Sequence, residues 1–532
     1  MSKETSTLVV PPPGSISRPL GNLEVFFKTL ADLGTPLGHE HWTVHLALRV
    51  RFVGSSQSSG VDVDPELCLR RAWQVVRRQI PAIGSTISSS ALATSCLAVP
   101  GEDDAYEGRE RLTLAPFDAN VWVNDTFVVH RGQHGDDAST LFSTLGPAPT
   151  AMCYWLPNSS EILIRSSHWR MDGIGLSMLA HSFLTALAEV LRVGPDAASL
   201  EVYTGKIPAA SQPLPLCLED LARQVRSGNK KTSNGHEDKN DNAKGSTDPT
   251  LEAGADALVA EFLRGVPSIG LPTRADSENA LPGPSARAST RLDAATTARV
   301  TAARKAKGFS FTGSVHAAIV RVTAGFPQHP LAKSYAGFFP VNLRQAIAPT
   351  GAATDEELVF GLYFSGLPIC VDGMITNPGG HVGDTIKSFD DVAREMTAVY
   401  GRDLTEFWKV PDGQVVGLLD LAEPYLKRTT ALFSAPVPEG LPPVQTPDLS
   451  GLGKVEAYLQ HEYKASSGGS TVQLEDMWIG TEMLNRSVQF HVWSWRDELN
   501  IAACFNQSFY DQSFVAEVLD RIVKELQTGL GL

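Results

Sequence analysis

Apolar residues recur along this chain with two periods, and the periods divide it into strands and helices. Over His41–Phe52 the second half alternates apolar and polar positions, as a half-buried strand does. Asp64-Pro65-Glu66 then reads as a helix start, with Asp as cap and Pro in the first turn. That helix runs through Leu67, Leu69, Ala72, Val75 and Val76, and the chain turns at Pro81. Ile162-Leu163-Ile164 is a β-type run, followed from near Gly173 by a helical stripe of Leu176, Leu179, Phe183, Leu187, Val190 and Leu191. Beyond it the pattern predicts helices near 252–264 and 294–307, and a buried helix through Val315, Ala318, Ile319 and Val322. Strand-like pieces follow at 335–342, 358–371, 453–463, 471–479, 486–494 and 500–506, and an amphipathic helix closes the chain at Phe514–Leu526. Both halves mix strands and helices without the regular alternation of a Rossmann or barrel fold, so the expected class is α+β.

A chain of 532 residues is too long for one ordinary core, and two lobes are expected. Residues 227–250, SGNKKTSNGHEDKNDNAKGSTDPT, hold no aromatic and almost no aliphatic side chain, so they read as a disordered linker or insertion. Residues 1–17 read as a flexible arm, 18–226 as the first lobe and 251–532 as the second. The net charge of −14 argues against a nucleic-acid surface, which needs clustered Lys and Arg. The six cysteines show no ligand spacing, and free thiols in a reducing compartment are expected. With no secretory signal and no run of about twenty apolar residues, the expectation is a soluble, cytoplasmic chain without a membrane span.

The segment Ser166-Ser167-His168-Trp169-Arg170-Met171-Asp172-Gly173 lies between the 162–164 run and the striped helix. A strand-to-helix turn can present a side chain to a cleft, and histidine is suited to take and return a proton near neutral pH. Asp172 can brace such a turn beside Gly173, and a buried carboxylate there needs a cation, for which Phe339-Pro340-Val341-Asn342-Leu343-Arg344 offers Arg344. The same residues also fit a capped helix start with an incidental histidine and two surface charges. There is no phosphate loop, dinucleotide fingerprint or GxSxG elbow. His39, His41 and His45 could share one strand face, but without a carboxylate cluster they read as solvated or packed rather than metal-binding. Arg304-Lys305-Ala306-Lys307 reads as a solvated helix face.

His168-Trp169-Arg170-Met171-Asp172-Gly173 resembles the HxxxDG motif of the superfamily that joins chloramphenicol acetyltransferase, plant acyl-CoA acyltransferases and peptide-synthetase condensation domains. Co-linear segments extend the resemblance over nearly the whole chain: Arg18–Glu24, Asp64–Leu67, Gly308–Ala318, Pro340–Arg344, Gly361–Pro368 and Trp493–Tyr510. Its nearest type is the fungal trichothecene 15-O-acetyltransferase. The resemblance implies two chloramphenicol-acetyltransferase-like lobes forming a pseudo-dimer around a central channel. In that channel His168 is the catalytic base, and Asp172, Gly173 and Arg344 support the turn. Condensation domains carry a second histidine where this chain has Ser167, and the plant DFGWG motif is absent.

The expected function is transfer of an acetyl or other short acyl group from acyl-CoA, with no tightly bound cofactor and no metal, to a hydroxyl of a terpenoid or polyketide-like secondary metabolite. A free-standing condensation-type enzyme fed by an acyl carrier protein is one alternative; a cyclase or binding scaffold on the same fold is another. Ser167, Tyr363, Phe364, Ser365, Trp493, Ser494 and Trp495 are candidate channel-lining residues, with core packing as the competing role for each. The expected partners are small molecules, with no nucleic acid, and the chain is expected to be a monomer.

Overall fold

In the computed structural model, the described residues are 11–53, 64–89, 97–98, 109–133, 136–203, 205–207, 214–233, 248–348, 353, 357–376, 385–409, 413, 415–436, 438–465 and 471–532. Two sheets dominate. The first has the spatial order Glu462–Lys464, Thr471–Thr481, Val44–Val53, Glu161–Ser166, Met152–Leu156, Phe127–Val129. Glu161–Ser166 is flanked by a strand on each side and is buried along its whole length. That explains why Ile162-Leu163-Ile164 is continuously apolar rather than alternating. The second sheet has the order Ser285–Leu292, Glu498–Asn506, Gln489–Trp495, Asp448–Lys454.

Helices cover the sheets for reasons visible in their first turns. Pro65–Gln79 is capped by the Asp64 carboxylate accepting from the Glu66 N–H. Gly173–Val193 is capped by Asp172 and buries the predicted stripe in the first core. This helix is 21 residues long with a mean hydropathy of 1.6 over its most apolar stretch, so by length and composition it could cross a membrane. The expectation of no such run therefore fails on composition, but 67% of that stretch is packed inside the protein, where a core helix belongs. Phe311–Ala324 and Gln512–Leu530 pack in the second core with Phe389–Tyr400.

The lobes do not divide at a single point in the sequence. Glu462–Lys464 and Thr471–Thr481 come from the second half of the chain yet complete the first sheet, pairing Thr481 with Val44 and Ile479 with Leu46. Val472, Leu474, Met477 and Ile479 bury their side chains in the first core, so a lobe confined to residues 251–532 would leave that core open. Within the expected linker, helix Leu218–Ser233 runs seven residues past 226, and the next helix begins at Pro249 with Asp248 as its cap. The remainder, 234–247, lies outside the described residues, as does most of the segment 1–17, of which 11–17 are described. Ile16–Pro19 is a strand in a small third sheet.

Several strands begin or end away from their expected limits. The 358–371 piece splits into a short 3-10 turn and the strand Phe364–Val371, which pairs in a hairpin ladder with Tyr335–Asn342. The 453–463 piece is instead the end of Asp448–Lys454, a turn, and the edge strand Glu462–Lys464. The described cysteines, Cys68, Cys153, Cys217, Cys370 and Cys504, are free thiols.

Candidate active site

Where the lobes meet, a cavity of about 250 Å³ is lined from both halves of the chain. The strand Glu161–Ser166 ends at one wall, and His168 sits in the turn before the helix Gly173–Val193. Its ring stacks on Phe27, with centroids 4.0 Å apart and 7° between planes, and Phe364 lies 5.8 Å away at a tilt. Nδ1 is sealed from solvent without a hydrogen-bond partner, which leaves Nε2 as the nitrogen that can meet a cavity occupant. Burial lowers the His168 pKa to about 4, against smaller upward pulls from its own backbone and from Asp172. At neutral pH the imidazole is therefore uncharged and can accept a proton.

Phe27 was not legible as a site residue. It comes from helix Asn22–Asp32, whose start is fixed by a buried network. Arg18 forks onto Glu24 at 2.7 and 2.6 Å, Glu24 accepts the Gly21 N–H, and Glu219 accepts the Asn22 N–H. The Arg18–Glu24 segment thus matters to the site because it anchors the ring beneath His168. Trp42 adds a second aromatic wall and holds a left-handed backbone (φ 62°), a conformation that costs a bulky residue on the order of 1–3 kcal/mol.

Asp172 supports the turn in three ways. It caps the helix by accepting the Gly175 N–H at 2.7 Å. It accepts two bonds from Arg344, both 2.9 Å, and the Tyr363 N–H at 3.0 Å. Arg344 also donates to the Leu358 carbonyl at 3.0 Å. Gly175 is required by close approach, since a Cβ there would meet the Val359 carbonyl oxygen at 2.4 Å. Gly173 lines the cavity, and a Cβ on it would press on Ile479 at 2.9 Å.

Of the candidate channel residues, Phe364 lines the cavity and the others do not. Ser167 is buried behind His168, and Ser365 is fully buried with its hydroxyl unpartnered. Tyr363 is buried, donating its hydroxyl to the Leu216 carbonyl at 3.0 Å. Trp493 and Trp495 are core residues, each 2% exposed, and Ser494 lies between them off the cavity. The same strand does reach the cavity, but earlier, through Gln489 and His491. Alternation puts 489, 491, 493 and 495 on one face, and the cavity is met by the first two of these rather than by Trp493, Ser494 or Trp495.

The histidine group near the first strand holds no metal-type cluster, and the described residues contain none elsewhere. His39 Nδ1 bonds Glu482 at 2.6 Å, His41 Nδ1 accepts the Leu484 N–H at 3.1 Å, and His45 Nδ1 meets the Thr43 carbonyl at 3.2 Å. In the basic run, Lys307 pairs with Asp390 at 2.7 Å and Arg304 donates to the Phe309 carbonyl at 3.1 Å, which accounts for both.

If His168 serves as a base toward a neutral hydroxyl, loss of activity on acidification should follow it. The expected acid limb of kcat/KM has an apparent pKa near 4 rather than the ordinary 6.5, because the neutral base persists until pH falls through the lowered value. A limb near 6.5 in a pH-rate profile would contradict the neutral assignment.

The chain is similar to several known proteins. Residues 282–413 match the family described as phthiocerol/phthiodiolone dimycocerosyl transferase C-terminus. The loline biosynthesis cluster 1 transcription factor lolU1 of Epichloe uncinata is 29% identical, over 98% of this chain and 96% of its own length. The acetyltransferase pigO of Monascus ruber is 25% identical, over 98% and 97% respectively. Among solved structures, the TRI3 trichothecene 15-O-acetyltransferase from Fusarium sporotrichioides superposes with a TM-score of 0.68 at 15% identity over 100% of both chains. The first condensation domain of the CDA synthetase does so with a TM-score of 0.58 at 14% identity over 97% of each. The two-lobed fold, the matched second-half segment and the acetyltransferase relative make the chain similar to the acyltransferase superfamily of chloramphenicol acetyltransferase and the condensation domains, and they support that superfamily.

Proposed function

We propose that the protein transfers an acetyl or other short acyl group from acyl-CoA to a hydroxyl of a secondary metabolite, with His168 as general base. The observation that carries this reading is the neutral imidazole of His168, stacked on Phe27 at the wall of a cavity that both lobes line. In the proposed step His168 Nε2 takes the acceptor's hydroxyl proton as the oxygen attacks the thioester carbonyl. The tetrahedral intermediate collapses, the carbon–sulfur bond breaks, and the imidazolium returns the proton to the departing thiolate. A pKa near 4 makes the imidazole a modest base but its conjugate acid a strong proton donor, which suits the second half of the step. Positioning of two substrates in one cavity supplies the rest.

The acetyltransferases pigO and pigM of Monascus ruber support the acyl-transfer class, and the biosynthesis cluster in the name of lolU1 supports the metabolic setting. The relative lolU1 carries a transcription-factor name, but a net charge of −14 gives this chain little to offer a phosphate backbone. Among the described residues that line the cavity, Arg344 is the one Lys or Arg side chain, and it is paired with Asp172. This fits a neutral thioester arm entering the cavity while any nucleotide or carrier protein stays outside. A carrier-bound donor therefore remains the second reading.

The test is a donor comparison. Purified protein, an acceptor panel of polycyclic alcohols and acetyl-CoA should release free thiol and give acetylated product by mass spectrometry. Product from the phosphopantetheinyl carrier thioester with none from acetyl-CoA would move the assignment to the condensation type. Acceptor conversion without any thioester would move it to a cyclase.

A further inference from the structure

The cavity has two unlike walls. One is aromatic: Phe26, Phe27, Trp42, Phe338, Phe364 and Phe433. The other is polar and comes from two neighbouring parallel strands, in which Asp448 sits beside Gln489 and Ser450 beside His491. Leu449, between Asp448 and Ser450, packs in the second core, so the polar pair shares the opposite, cavity-facing side.

The acyl-transfer step gives these polar groups no role, and two of them carry polar atoms without a partner. His491 is 3% exposed, and its Nε2 bonds the Thr481 hydroxyl at 3.2 Å while Nδ1 has no partner. The Asp448 carboxyl makes no hydrogen bond or ion pair among the described residues. Burial raises its pKa to about 7, the opposite of what a paired carboxylate shows. The neighbouring groups supply no cation: burial holds His491 down to about 3 and raises the Tyr335 hydroxyl, so both stay neutral. A half-buried carboxyl that lines the cavity without a counter-charge in the protein is a ready partner for a cation that enters it.

We propose that Asp448, flanked by Ser450, Gln489 and His491, is the recognition site for a protonated amine on the acceptor. The inference rests on the acyl-transfer reading only for the word acceptor. His491 is the wall residue electrostatically coupled to His168, and Asp448 lies two residues along from the Ser450–His491 pair, roughly 7 Å further. The acceptor is thus an amino alcohol, with its hydroxyl at His168 and its ammonium at Asp448. Its apolar body lies against the aromatic wall, which also favours a cation.

The probes are 2-phenylethylamine and 2-phenylethanol, which differ only in ammonium against hydroxyl. Binding is measured by calorimetry and ligand-observed NMR at about pH 8, with no acyl donor, where an alkylammonium is still charged. The parent protein should prefer the amine by about tenfold or more, as a charged hydrogen bond implies. Asp448→Asn should abolish that preference while melting no lower than the parent, because it removes a cavity-wall acid that has no counter-charge in the protein. Equal binding of the two probes by the parent overturns the proposal without reference to any variant, and so does an undiminished preference in Asp448→Asn. His168→Ala separates the two readings: it should lose turnover and keep the amine preference. An inactive parent that still prefers the amine would count against acyl transfer and leave the Asp448 site standing.

Discussion

Replacing His168 with alanine is expected to lower kcat by about 10²–10⁴-fold, the range in which general-base assistance contributes, while leaving the fold intact. The side chain is only half-buried and makes no hydrogen bond through Nδ1, so its removal strands no polar partner. What is lost structurally is the stacked contact with Phe27, worth about 1 kcal/mol. The unfolding midpoint should therefore stay close to that of the parent. A slot one ring thick remains above Phe27, and added imidazole should partly restore the rate by occupying it. Restoration distinguishes a missing base from a displaced turn, since imidazole cannot repair the latter. Turnover within a few-fold of the parent would remove His168 from the chemistry altogether.

The local part of this site was legible because it is contiguous. Strand, turn and striped helix fall within Ile162–Leu191, and the Asp172–Gly173 pair at their junction is both motif and helix cap. The capped-helix interpretation and the catalytic one are thus not rivals: the cap is how the turn is made. Arg344 could be singled out because a buried carboxylate needs a cation. Phe27 could not, since nothing in Asn22–Asp32 marks one apolar helix position as lying under a histidine 141 residues later. Asp448 and Gln489 are brought together by strand pairing, which no single-strand pattern encodes. The exchanged strand Thr471–Thr481 was found as a strand, but its partner Val44–Val53 lies more than four hundred residues earlier. Its apolar alternation states that it will be covered, not by which lobe. Trp493 and Trp495 were drawn into the channel by size, whereas in the fold they close the core beyond its end.

Asp172→Ala is expected to cost about 3–5 kcal/mol of stability, the range for removing one partner of a buried ion pair, and to lower activity as well. The carboxylate holds Arg344 through two 2.9 Å bonds across 172 residues of sequence, and both side chains are 8% exposed. Its loss leaves a buried guanidinium with the Leu358 carbonyl as its close remaining acceptor, and leaves the Gly175 and Tyr363 N–H groups unpaired. Asp172→Asn keeps one acceptor oxygen for the cap and should fall between the variant and the parent. The decisive variant is the double, Asp172→Ala with Arg344→Met. Removing the stranded charge should recover part of the stability, so the double mutant should unfold later than Asp172→Ala alone. It should not recover the rate, because the turn that aims His168 still lacks its brace. Denaturant unfolding of the four proteins, read as a double-mutant cycle, gives the coupling directly. Equal midpoints for Asp172→Ala and the parent would show that the pair carries no stability, and the bracing role of Asp172 would then fall with it.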